Sequence, residues 1–117
     1  MKENLIAEKS FDFAIRVVNL YKHLAEDKKE FVLSKQVLRC GTSIGANVSE
    51  AEKAQSNADF YTKLTIALKE ANETLYWLRL MYATDFLTEK EFSSLETDAK
   101  ELVAILVSIT KTLKSKL

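Results

Sequence analysis

Residues 33–51 read Leu33-Ser34-Lys35-Gln36-Val37-Leu38-Arg39-Cys40-Gly41-Thr42-Ser43-Ile44-Gly45-Ala46-Asn47-Val48-Ser49-Glu50-Ala51, and they hold both glycines of the chain. Small and polar side chains surround those glycines, whereas the other segments are bulky and apolar. In a helix, Gly41 and Gly45 share one face at i, i+4, and without a Cβ they let a second helix come close. The alternative is a turn or kink at Gly41 between two shorter helices. Val37, Gly41, Ile44, Val48 and Ala51 keep a 4-3-4-3 step through both glycines, which favours one long helix. Each glycine costs a helix interior about 1 kcal/mol relative to alanine, so close packing must compensate.

The rest of the chain agrees with a helical reading. It has 117 residues, no proline and 47% hydrophobic side chains, enough for one domain, residues 1–117, with its own core. Cys40 is the single cysteine, so no intramolecular disulfide can form. The N-terminal stretch is interrupted by Glu3 and Glu8 and lacks the apolar run of a secretion signal. No apolar run reaches membrane-spanning length either, and a cytoplasmic protein without a membrane partner is expected.

Four helices follow from the apolar spacing. The first runs from about Leu5 to Ala25, with Phe13, Val17, Leu20 and Leu24 as its stripe. Glu26-Asp27-Lys28-Lys29-Glu30 connects it to a second helix, from about Phe31 to Gln55. Ser56-Asn57-Ala58-Asp59 reads as an N-cap opening a third helix that reaches about Thr84, and Thr88-Glu89-Lys90-Glu91 is a full capping box opening the fourth. Short connections between long helices predict an antiparallel, up-down-up-down four-helix bundle.

Helices three and four carry more apolar surface than one core can hide. Leu102 to Val107 is apolar all the way round, and Leu75 to Tyr82 is nearly so. This surplus predicts a homo-oligomer with an interface built from Trp77, Val103, Ile105 and Val107.

Catalytic chemistry has little to work with. His23 is the only histidine, and Leu20 stands three residues before it, so the Glu-x-x-His pairs of a di-iron bundle are absent. No metal or cofactor is expected. Glu70 and Glu73, at i, i+3, could serve as an acid and base pair, but partnership with Arg39 or Lys35 across the bundle is the better reading. Cys40 has no neighbouring base and reads as a small core residue. Gln36, Ser43, Asn47 and Glu50 form a polar face on helix two, expected to bridge to Glu70, Asn72 and Glu73 or to meet a partner. Seventeen basic and seventeen acidic residues cancel, so composition gives nucleic-acid binding no support. Such binding would have to use local groups, Lys28, Lys29, Lys35 and Arg39, or else Lys111, Lys114 and Lys116, which also complement the dipole of the last helix.

The run Ser34 to Arg39, Gly41-Thr42-Ser43-Ile44-Gly45-Ala46-Asn47 and Glu50-Ala51, followed by Asp59-Phe60, Ala67-Leu68-Lys69-Glu70-Ala71, Glu73-Thr74 and Tyr76-Trp77-Leu78, resembles the 23S rRNA-intervening sequence proteins. The resemblance extends over nearly the whole chain and implies a bacterial four-helix bundle. The family name records where some members are encoded, within insertions in rRNA genes, rather than an activity. Members are similar to the accessory protein of diversity-generating retroelements, a pentameric barrel that binds nucleic acid and a reverse transcriptase through a basic surface. By that likeness this chain is expected to form a ring-shaped homopentamer, non-enzymatic, acting as a scaffold or accessory factor with RNA, DNA or a protein as partner. It departs from that relative in having no net positive charge. A small-molecule- or metal-binding bundle is the alternative.

Overall fold

The structure, a computed structural model, describes residues 2–117, with side chains from Asn4 onward. Its helices are α1 (Lys2–Glu26), α2 (Leu33–Ala51), α3 (Asn57–Ala83) and α4 (Glu89–Lys114), with no strand among the described residues. They form a rod of 46 × 21 × 20 Å, close to the length of one 27-residue helix at 1.5 Å per residue. Each helix packs on its neighbours in the chain, α1 also meets α4, and the backbones of the diagonal pairs α1–α3 and α2–α4 stay apart. Contacts run in opposite senses along each neighbouring pair. Val17 and Ser10 of α1 stand against Gly41 and Gly45 of α2, and Lys9 and Arg16 meet Glu101 and Asp98 of α4. The bundle is therefore antiparallel.

The core is the apolar stripe of each helix turned to a common axis. Phe13, Val17, Leu24, Ile44, Leu64, Leu78, Met81, Leu102 and Leu106 are all fully buried. Thr74 and Thr110 are buried among them, and their hydroxyls donate to the carbonyls of Glu70 and Leu106 one turn earlier, 2.8 Å in each case. No buried side-chain polar atom among the described residues is left without a partner.

Helix α2 passes unbroken through both glycines, which resolves the choice between a notch and a kink. A Cβ on Gly41 would stand 2.8 Å and 2.9 Å from the two methyls of Val17, and one on Gly45 would stand 3.3 Å from the Ser10 carbonyl oxygen. Both glycines face α1, so α1 and α2 approach more closely than side chains would allow.

Helix α2 is shorter than its apolar pattern suggests, 33–51 rather than 31–55. Glu30 sets its start. Its carboxylate accepts from the backbone N–H groups of Val32 and Leu33, both at 3.0 Å, and of Ser34 at 2.7 Å, satisfying donors that open a helix without a partner. Phe31 and Val32 thus stay in the connection, both exposed. The other two starts follow the sequence signals. Ser56 accepts from the Asp59 N–H, and Thr88 and Glu91 form a reciprocal capping box. Helix α3 ends at Ala83, and just past its cap Asp85 takes a left-handed φ of 69°, with Phe86 N–H closing back on the Met81 carbonyl at 2.9 Å. No described helix is long and apolar enough to cross a membrane.

Candidate functional site

The polar face of α2 divides into two parts. At its N-terminal half Arg39 reaches across to α3, where its guanidinium bonds Glu73 and lies 3.5 Å from Glu70, with Gln36 Oε1 accepting at 3.4 Å. Glu73 also accepts from the Trp77 indole N–H at 3.1 Å, so one carboxylate holds two donors. Glu70 is mostly covered, while Arg39 remains about half exposed. The cluster fastens α2 to α3 through charge-assisted bonds.

The C-terminal half of the face does not join it. Asn47 donates to the Ser43 carbonyl at 2.9 Å and hydroxyl at 3.0 Å, both within α2. Glu50 is exposed, and Asn72 bonds the Leu68 carbonyl of its own helix. The expected bridge from Ser43, Asn47 and Glu50 to α3 is therefore replaced by local bonding. Short amide and hydroxyl side chains on a helix readily satisfy themselves one turn back.

The four basic residues singled out for partner contact do not merge into one free patch. Lys28 and Lys29 are exposed in the α1–α2 connection, flanked by Glu26 and Asp27, and Lys35 is exposed on the first turn of α2. Arg39 is already engaged by its two carboxylates. Lys111, Lys114 and Lys116 lie at the opposite end of the rod, at the finish of α4.

The four apolar residues expected at an interface also separate. Trp77, Val103 and Ile105 are half-buried against the core of their own subunit, and only Val107 is well exposed. Helical phase explains this. Val103 and Val107 lie one turn apart on the α3 flank of α4, whereas Ile105 follows Glu101 on the α1 flank. The core stripe is thus bordered on both sides, and much of the apparent apolar excess is absorbed. The most exposed large apolar side chains are elsewhere: Val32 at 71%, Phe11 at 66%, Tyr76 at 56% and Ile15 at 48%.

Between α1 and α4 an open cleft of about 310 Å³ is lined by Arg16, Asn19, Leu20, His23, Glu91 and Leu95. Arg16 crosses it to bond Asp98, the Ser94 hydroxyl at 2.9 Å and the Ser94 carbonyl at 3.3 Å. His23 Nδ1 lies 2.7 Å from Asp27. The Thr88 N–H holds the Glu91 carboxyl below its ordinary value against the opposing effect of burial. These charged groups thus already have partners within the chain. Among the described residues no three His, Cys, Asp or Glu side chains converge in a way that could hold a metal. Cys40 is buried between α2 and its neighbours, and that burial pushes its thiol pKa up, so it packs as a protonated thiol. Arg16 with its partner Asp98, Lys9 with Glu101, and Glu30 are structurally active charged residues that spacing alone did not reveal.

The fold recurs in a crystal structure of a protein of unknown function from the S23 ribosomal protein family of Bacteroides thetaiotaomicron. The two chains share 57% identity over 95% of this chain and 99% of the other, with a TM-score of 0.94. No curated protein matches the chain. The model of the family described as 23S rRNA-intervening sequence protein matches residues 2–108. With nearly its entire length matched and its four helices superposing on such a relative, the chain belongs to the 23S rRNA-intervening sequence protein family.

Proposed function

We propose that the protein is a non-enzymatic, self-assembling helical scaffold that works as a ring of five subunits. The observation that carries this reading is the set of large apolar side chains on outward helix faces, Phe11 and Ile15 on α1 and Tyr76 on α3, which the subunit's own core does not use. Such surface is costly to leave in water and marks an interface. The number five comes from the likeness to the pentameric retroelement accessory protein. Light scattering at micromolar concentration is expected to give a mass several times 13.3 kDa. A species of 13.3 kDa alone would overturn the proposal.

By the likeness to the retroelement accessory protein, such a ring would serve as an accessory factor on nucleic acid. Lys28, Lys29 and Lys35 supply the exposed cations for it, repeated from subunit to subunit so that weak contacts act together. Binding of structured RNA should then weaken steeply with salt, and Lys28→Glu with Lys29→Glu should flatten that slope. The alternative role, a small-molecule-binding bundle, would use the α1–α4 cleft.

A further inference from the structure

Two exposed stripes, on helices diagonal to each other in the bundle, match each other. On the outer face of α1 stand Glu8, Phe11, Asp12, Ile15, Lys22 and Glu26, all exposed. On the outer face of α3 stand Ile66, Lys69, Asn72, Tyr76 and Arg79, a 3-3-4-3 helical step that is also exposed throughout. Glu8, Asp12, Glu26, Lys69 and Arg79 form no salt bridge within the described chain, although Lys9, Arg16 and Arg39 nearby all do. The charges bordering the α1 stripe are mainly acidic, and the fully exposed charges of the α3 stripe, Lys69 and Arg79, are basic; Glu73, at the α2 edge of that stripe, is half-buried and already engaged by Arg39 and Trp77.

We propose that the α1 face of one subunit docks on the α3 face of the next, side by side and parallel, through an apolar centre bordered by complementary charge. The proposal rests on the self-assembly argued above and assigns its surfaces. Because α1 and α3 are diagonal in the bundle, their outer faces point away from each other. A two-fold dimer pairs one patch with itself and would leave the other face bare, whereas a head-to-tail contact covers both on every copy; a slight rotation from copy to copy, with the contact off-centre on each face, is what closes such a row into a ring.

The register follows from contacts inside the subunit. Gly41 against Val17 and Gly45 against Ser10 fix α1 relative to α2, and Arg39 against Glu70 and Glu73 fixes α2 relative to α3. Along the rod these set Asp12 level with Ile66, Lys22 with Tyr76, and Glu26 beside Arg79. Two parallel copies then bring Asp12 to Lys69 and Glu26 to Arg79, put the Lys22 ammonium over the Tyr76 ring, and pack Phe11 and Ile15 around Ile66.

The test uses two full-length variants, Phe11→Asp for one face and Tyr76→Asp for the other. Both positions are exposed, so circular dichroism should show the wild-type fold. Each variant alone is expected to be monomeric, and an equal mixture is expected to form a two-chain species and nothing larger, through the one pair of intact faces that remains. If the wild type assembles and either variant assembles like it, or the mixture stays monomeric, the assignment of faces is overturned. A monomeric wild type overturns the self-assembly reading itself. Glu26→Arg or Arg79→Glu should each weaken assembly severalfold, and both changes in one chain should restore it; failure of that recovery overturns the parallel register.

Discussion

Helix α1 is held in two different ways on its two flanks. Toward α2 it meets Gly41 and Gly45 with almost no space between, Val17 methyls on one glycine and the Ser10 backbone on the other. Toward α4 it meets a helix across an open cleft, and the connection is made by the tips of long side chains, Lys9 to Glu101 and Arg16 to Asp98 and Ser94. The first seam is fixed by what is absent from the side chains, the second by how far they reach. Close packing of backbone and methyl groups tolerates little change, whereas exposed ion pairs contribute little and adjust readily.

Gly41→Leu is the hardest blow to this contrast. A branched side chain there must displace Val17, a β-branched residue with few alternative rotamers, and a loss of about 1–3 kcal/mol or more in denaturant-measured stability is expected. Even Gly41→Ala should destabilise, because the contacts of 2.8 and 2.9 Å outweigh the roughly 1 kcal/mol gained in helix propensity. Val17→Ala combined with Gly41→Ala should cost less than the two changes summed. Wild-type melting of Gly41→Leu would show that the seam has room to spare.

Arg16→Ala strikes the other seam, and its cost should be far smaller, about 0.5–1 kcal/mol, since the pair is more than one-third exposed. Its sharper signature is faster amide exchange in α1 and α4 than in α2 and α3. A loss as large as that of Gly41→Leu would erase the distinction between the seams.

The smallest effect is a titration shared by both flanks. Glu30 caps α2 and Glu91 caps α4. Burial pushes the Glu30 carboxyl up, but the N–H groups of Ser34, Leu33 and Val32 together draw it below its ordinary value; at Glu91 the Thr88 N–H does the same against burial. With folded values depressed, both contributions are fully present above the unfolded value of about 4.5 and fade as pH falls through the folded values. Stability should therefore decline with acid below that point, and Glu30→Gln should reduce the decline. An unchanged acid profile in that variant would remove Glu30 from the account.

These two seams also mark what the sequence made legible. The glycine pair stood out because small residues broke a bulky apolar pattern at helical spacing, and the caps at Ser56 and Thr88 carry a local signature that needs no tertiary information. For Glu70 and Glu73 the sequence offers two basic partners across the bundle, Arg39 and Lys35, and the structure selects Arg39. Arg16 gave no such signal, since a polar residue on a polar face looks the same whether it meets water or another helix. Glu30 is hidden because it stands three residues before the helix it caps, behind Phe31 and Val32, whose apolar character extends the apparent helix. In α4, Val103 and Ile105 read as surplus because a one-stripe view of a helix omits the flanks that two neighbours cover. The outer stripes of α1 and α3 give no signal in the sequence, as Phe11, Ile15 and Tyr76 are spaced apart along their helices and never form an apolar run.

The circuit of four helices carries a consequence for how the chain reaches this state. Three of its seams join segments adjacent in sequence, and the fourth, α1 with α4, joins the two ends. Contacts between neighbours close short loops and form early, so a chain of this topology has low contact order and folds quickly. The α1–α4 seam has to wait until the other three have brought its partners together. Its side-chain bridges then belong to the last step of folding and the first of unfolding, and Arg16→Ala should accordingly hasten unfolding while leaving the folding rate where it was.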